Sequence, residues 1–336
     1  FEKMFADFVG VKYACAVTSG TTALYVGLKA LGIGGGDEVI VPDLTFVASP
    51  NSVEAVGAKP VLIDIKQNSL NLDLKKIKKT ITKRTKAIMP VDFNGRAIDI
   101  KNISELANQH NLSLIEDAAH GLGCFYDKKH VGTMSDIGIF SFSTPKIITT
   151  GQGGMIVTNN KKLYEKCKAV KDFGRKPDTK RNMRMAFEHP TIGYNFKFTE
   201  FQAAIGIAQI KKLRKRMIFK KKMFRMYEEL LSKLSSVNFI KTDLDRVTPW
   251  MVDILVDSKR KRDSMIKYLE KNQVETRIFY PPIHRLSPYR DKDVKFKTSS
   301  EISDRGIWLP SSVTLKEKDI EYICRKIISF SKKNSF

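Results

Sequence analysis

From Phe8 to about Thr158 the chain alternates short β-rich apolar runs with segments whose apolar residues recur at helical spacing, and few architectures accept that pattern. Val39–Pro42, Pro60–Ile65, Lys86–Val91, Leu112–Asp117, Gly138–Phe142 and Gly154–Val157 read as strands. Thr22–Leu31, Leu72–Ile81 and Ile100–Gln109 read as helices between them. Near-continuous apolar strands need cover on both faces, which crossover helices supply, so the pattern predicts an α/β domain around a mostly parallel, buried sheet. Ligands bind such a sheet beyond the carboxyl ends of its strands. Thr199–Lys233 reads as one long helical stretch. Beyond it, strands at Val237–Ile240, Asp253–Val256 and Glu275–Tyr280 and helices at Arg262–Asn272 and Glu317–Phe330 predict a smaller α+β unit. The expected division is therefore a large domain over residues 1–210 and a small one over 211–336, with a connecting helix around 199–233.

A chain of 336 residues suits this division. It contains no apolar run of membrane-spanning length and no basic-plus-apolar leader. Cys15, Cys124, Cys167 and Cys324 lack a paired spacing, which argues against a zinc site or disulfide framework and for a reducing cytoplasm. The net charge is +23, with basic residues concentrated in Lys75–Lys86, in Lys211–Arg225 and around Lys259–Arg262. Nucleic-acid readers lean on arginine interleaved with aromatics, whereas here Lys outnumbers Arg 43 to 16. Solvated helix faces fit this composition better, and neither a nucleic acid nor a membrane is the expected partner. A positive field of this size still attracts anionic small molecules.

Three stretches carry chemistry. Thr18–Leu24 is a run of small residues opening a helix, and free N–H groups at a helix N-terminus bind phosphate. An ordinary Ser or Thr cap explains the same residues. In Leu114–His120 an apolar strand ends in Glu116 and Asp117, then Ala118, Ala119 and His120. A carboxylate at a buried strand end needs a partner, and a pyridinium N–H would serve; a helix cap or surface turn is the plainer alternative. In Phe140–Gly154, Lys146 lies between a serine-rich strand end and a glycine-rich turn. A lysine that forms a Schiff base needs a partly desolvated pocket in which its amine can be neutral.

Taken together, these stretches resemble the DegT/DnrJ/EryC1/StrS family of sugar aminotransferases, and so do Pro42–Ser49, Ile192–Phe196 and Gln202–Ala204. The resemblance runs across essentially the whole chain. It implies the aspartate-aminotransferase type of fold (fold type I) and pyridoxal 5'-phosphate as cofactor. Lys146 would hold the cofactor as a Schiff base and shuttle protons, and Asp117 would pair with its pyridine nitrogen. His120 would contact the cofactor. Ser19, Gly20, Thr21 and Ser141 would hold its phosphate, and Phe46 would stack on its ring. Asn195 matches an asparagine that reaches the phosphate of the neighbouring subunit, which implies a homodimer with shared active sites.

The resemblance further implies an amino donor, glutamate, and a nucleotide-linked keto sugar as acceptor. Pro249–Met251 and Arg277–His284 resemble the branch that aminates a 4-keto-6-deoxy sugar for surface polysaccharide. By that similarity Tyr280 and His284 would lie near the nucleotide-sugar entrance, although Trp250 and Phe279 read equally well as core; Arg277, whose fork matches oxyanions, would pair with a diphosphate or carboxylate. Amination at carbon 3, dehydration, or a non-catalytic regulatory role are the alternatives, but the dehydratases of the family replace the Schiff-base lysine and Lys146 is present.

This chain also departs from the family pattern. His120 replaces a frequent glutamine and brings a titratable group to the cofactor. Gln152 stands where the motif has glutamate, and Asp92 and Asn94 occupy a loop expected to touch substrate. Family members usually carry a few tens of residues ahead of the position of Phe1.

Overall fold

The computed structural model describes residues 1–176, 188–291 and 293–333. The chain opens with α1 (Glu2–Val9), β1 (Tyr13–Val17) and α2 (Gly20–Ala30). It continues through β2 (Glu38–Pro42), α3 (Ala48–Ala55), β3 (Lys59–Ile63), α4 (Leu74–Thr80), β4 (Thr85–Ile88), α5 (Ile100–Gln109) and β5 (Ser113–Asp117). A short hairpin, β6 (Phe125–Tyr126) and β7 (Lys129–His130), precedes β8 (Ile137–Ser141) and β9 (Gly154–Thr158). Helices α6 (Lys161–Lys171), α7 (Glu200–Ile210) and α8 (Leu213–Leu231) follow. The remaining elements are β10 (Val237–Phe239), β11 (Val252–Val256), α9 (Lys259–Lys271), β12 (Arg277–Ile278), α10 (Lys297–Arg305), β13 (Gly306–Leu309) and α11 (Glu317–Lys333).

Seven strands form the main sheet in the order β1-β9-β8-β5-β4-β2-β3. The pairs from β3 to β8 are parallel, whereas β9 runs antiparallel to both β8 and β1. The mostly parallel sheet expected from the apolar runs is therefore present. Its strands β2, β8 and β9 are buried along nearly their whole length, as crossover helices on both faces require. Helix α2 is buried through Ala23, Leu24, Val26, Gly27, Leu28 and Ala30, the mark of a helix packed on several sides. A four-stranded antiparallel sheet, β10-β11-β13-β12, is the frame of the C-terminal unit.

Differences from the sequence reading have local causes. The single helix expected over Thr199–Lys233 is two, broken at Lys211–Lys212, where fully buried Leu213 pins the start of α8. Strand β12 stops at Ile278, before Pro281 and Pro282, which cannot donate to a ladder. Strand β1 escapes the periodic reading because Tyr-Ala-Cys-Ala-Val is short and dominated by small residues. The four cysteines are buried and free. Among the described residues, no helix is long and apolar enough to cross a membrane.

Candidate active site

The carboxyl ends of β5 and β8 and the N-terminus of α2 converge on a cavity of about 370 Å³. Ser19 caps α2: its Oγ accepts the Thr22 N–H at 3.1 Å, and the Thr22 hydroxyl accepts the Ser19 N–H at 2.9 Å. The N–H groups of Gly20 and Thr21, in the first turn, have no intrahelical acceptor and face the cavity end of the helix. Gly20 packs closely there: a Cβ would lie 3.0 Å from Ser141 Cβ, so that side chain would have to give way. Gly154, opening β9, passes even closer: a Cβ would meet the Ser19 carbonyl oxygen at 2.2 Å. Bare backbone thus draws the helix start, the end of β8 and the start of β9 into one anion-sized cradle.

Asp117 ends β5 and is buried. Its Oδ2 accepts a hydrogen bond from the Ser49 hydroxyl at 2.8 Å and its Oδ1 accepts the Ala119 N–H at 3.2 Å. Burial pushes its pKa up, opposed by these two donors and by the charge of Lys146. Lys146 lies in the turn between β8 and β9, with its Nζ 4.1 Å from the centroid of the Trp250 ring. Desolvation lowers its pKa to about 7, against an upward pull from Asp117. The amine is therefore substantially neutral near physiological pH, as a nucleophile or general base must be.

His120 lines the cavity and stacks on Trp250, with centroids 3.9 Å apart and planes 24° apart. Its Nδ1 accepts the Asn94 N–H at 3.4 Å. Burial and the nearby Lys146 hold its pKa well below the ordinary histidine value. Both effects favour the neutral imidazole. Phe46, half exposed, stands at the rim with its ring 5.2 Å from that of Tyr280.

The likeness to known proteins follows the same geometry. The model of the DegT/DnrJ/EryC1/StrS aminotransferase family matches residues 1–328. The chain belongs to this family. Among the relatives of this aminotransferase is the GDP-perosamine synthase of Escherichia coli O157:H7, 38% identical, with 98% of this chain and 89% of that protein covered. Another is the GDP-perosamine synthase of Caulobacter vibrioides, 40% identical, with coverages of 96% and 87%. Among solved structures, S. venezuelae DesV in complex with a ketimine intermediate superposes with a TM-score of 0.92 at 28% identity, covering 98% of this chain and 88% of that one. The fold type I architecture of an aminotransferase and an enzymatic role are thereby settled.

Of the residues singled out in the sequence, Ser19, Gly20, Thr21, Phe46, Asp117, His120, Ser141, Lys146, Arg277 and Tyr280 all line the one cavity. His284 does not. It is fully buried, its Nδ1 2.8 Å from Asp43 Oδ2 and its backbone N–H donating to Asp43 Oδ1 at 2.8 Å, and so ties the C-terminal unit to the end of β2. Asn195 is exposed, bridges to Asp172, and lies away from the cavity of its own chain. Asp92 and Asn94 are buried and do not line the cavity, whereas Val91 of the same loop does. Asp92 Oδ1 instead accepts the Ile98 N–H at 3.1 Å, and burial raises the pKa of both Asp92 and the neighbouring Glu116. Trp250 proves to be core and cavity wall at once, 4% exposed.

Proposed function

We propose that the cavity holds pyridoxal 5'-phosphate and that the enzyme transfers an amino group from L-glutamate to a nucleotide-linked 4-keto-6-deoxy sugar. The observation that carries this reading is the meeting of Lys146, Asp117 and the open N-terminus of α2 on one cavity. The residues fit the cofactor. A phosphate suits the free N–H groups of Gly20 and Thr21 with the hydroxyls of Ser19 and Ser141. The Asp117 carboxylate, held by two donors and facing the cavity, suits a protonated ring nitrogen. Phe46 is the aromatic at hand for the ring face, and Lys146 the amine for covalent attachment.

When bound, the cofactor supplies an electron sink for the carbon that loses its proton. Asp117 keeps that sink charged by holding a proton at the ring nitrogen. Lys146, with its amine free, would take the proton from the donor's α-carbon as general base and give it back as general acid. Neutral His120 and Trp250 wall the cavity and keep bulk water from the amine. Arg277, 60% exposed at the rim, is placed to pair with a diphosphate or carboxylate. Tyr280, its phenol kept protonated by burial, can donate to a sugar oxygen.

The same reading makes the active unit a homodimer in which Asn195 serves the partner's cofactor. Ile192 and Phe201, 77% and 78% exposed, flank the Asn195 segment and are the kind of apolar surface a second copy would cover. The test is a panel of GDP-, UDP- and dTDP-linked 4-keto-6-deoxy sugars with glutamate, read by product mass. The GDP-linked sugar is expected to gain the amine; amination of 3-keto sugars alone would overturn the positional reading.

A further inference from the structure

Trp250 touches the lysine it neighbours in two ways. Its ring centroid lies 4.1 Å from Lys146 Nζ, and its indole N–H donates to the carbonyl of Pro145, the residue before Lys146, at 2.8 Å. With Pro145, Lys146 and Arg277 it partitions the cofactor cavity from a second, larger one of about 670 Å³. The indole is held by its hydrogen bond to Pro145 and by its stack on His120, and the backbone that carries it is held on both sides. The Trp250 carbonyl accepts from Lys220 Nζ at 2.5 Å. Asn94 then grips Met251 at both backbone groups, accepting its N–H at 2.7 Å and donating to its carbonyl at 2.8 Å.

Asn94 is itself anchored by donating to Asp253 Oδ2 at 2.7 Å, and Asp253 is gripped by Arg96 through two N–H groups at 2.7 and 2.8 Å. Asn94 takes a left-handed backbone conformation, φ 53°, that brings its N–H to His120 and its side chain to Met251. This arrangement ties the Asp92–Arg96 loop, His120 and the Trp250–Met251 segment together around the lysine.

A transaminating lysine spends part of each cycle free of the cofactor. A carboxylate partner would then lock the amine as an ammonium ion. An aromatic face attracts the ammonium form yet accepts no proton and leaves the lone pair of the neutral form available.

We propose that Trp250 is the positioning residue for Lys146: the indole face seats the lysine amine while it is free of the cofactor, and the Asn94–Asp253–Arg96 clamp fixes the indole at that place. This rests on Lys146 being the lysine that binds the cofactor. The experiment uses protein loaded with pyridoxamine phosphate, in which that lysine is free, and follows acetylation of Lys146 against pH by peptide mass mapping. In Trp250→Leu the midpoint should fall by about one pH unit, because the ammonium form loses its attractive face. Trp250→Phe, which keeps a face and loses the N–H, should stay within about half a unit. A midpoint unchanged or raised in Trp250→Leu overturns the proposal, as does a Trp250→Phe midpoint that falls equally far. Should Trp250→Leu fail to fold, Asn94→Gly tolerates the backbone and frees the indole; it should lower the midpoint by a smaller amount, and no change overturns the proposal. Borohydride reduction of the wild-type protein loaded with pyridoxal phosphate separates the two claims: a label on a lysine other than Lys146 removes the underlying assignment, whatever the Trp250 variants do.

Discussion

Two aspartates sit buried at or just past the ends of strands two places apart in the same sheet, and they are not equivalent. Asp43 follows β2, and both its oxygens are taken by His284, once through the backbone N–H and once through the imidazole. Asp117 ends β5, takes one hydroxyl and one N–H, and looks into the cavity that Lys146 enters. The first carboxylate is spent on joining two parts of the chain 241 residues apart. The second keeps capacity for a ligand. Burial raises both pKa values, so neither burial nor a shifted titration separates the structural group from the functional one. The partner that distant sequence delivers does.

The sharpest way to break this comparison lies at the lysine facing Asp117. Lys146→Ala should lower transamination by about 10³-fold or more, since both covalent attachment and proton transfer are lost. Steady-state assays with glutamate check it, and activity within tenfold of wild type would remove Lys146 from the chemistry. Next come the aspartates themselves. Asp117→Asn should lower kcat by about 10²- to 10³-fold, with thermal unfolding of the cofactor-free protein unchanged or raised, because a buried charge is removed. Asp43→Ala should show the reverse pattern. It strips the His284 imidazole and N–H of the carboxylate and should cost about 3 kcal/mol in denaturant unfolding, while kcat of the folded fraction stays within about threefold. Equal effects of the two substitutions on kcat would erase the distinction.

The residues that sequence reading singled out and that line one cavity carry local signals. Lys146 is recognisable from a serine-rich strand end before it and glycines after it, and Asp117 from the apolar run that it terminates. Parallel strands buried on both faces leave long apolar runs, so β2 to β5 were legible as well. What could not be read is whatever depends on long-range pairing. Short length and two alanines blur β1, and nothing local in Pro42-Asp43-Leu44 announces that His284 will fill that carboxylate. The same holds for Trp250, whose partners His120, Pro145 and Lys220 come from three different places in the chain. An aromatic among apolar residues reads as core, and it is core; only assembly makes it a wall of the site as well.

A smaller effect sharpens the comparison in a different coordinate, pH. Lys146, with its pKa lowered to about 7, attacks an aldehyde only as the neutral amine. Covalent loading of the cofactor-free protein, followed by absorbance, should therefore rise about tenfold per pH unit below neutrality and level off above about pH 7. An ordinary lysine would keep accelerating towards its much higher pKa. The sign of the carboxylate effect then tells the two aspartates apart. The charge of Asp117 favours the ammonium form and raises the Lys146 pKa, so in Asp117→Asn the plateau should begin at lower pH. Asp43 is occupied by His284 and is not among the groups that shift Lys146, so Asp43→Asn should leave the plateau where it was. A midpoint that moves equally in both variants would mean that the amine feels the whole sheet end as one diffuse field and not the single carboxylate beside it.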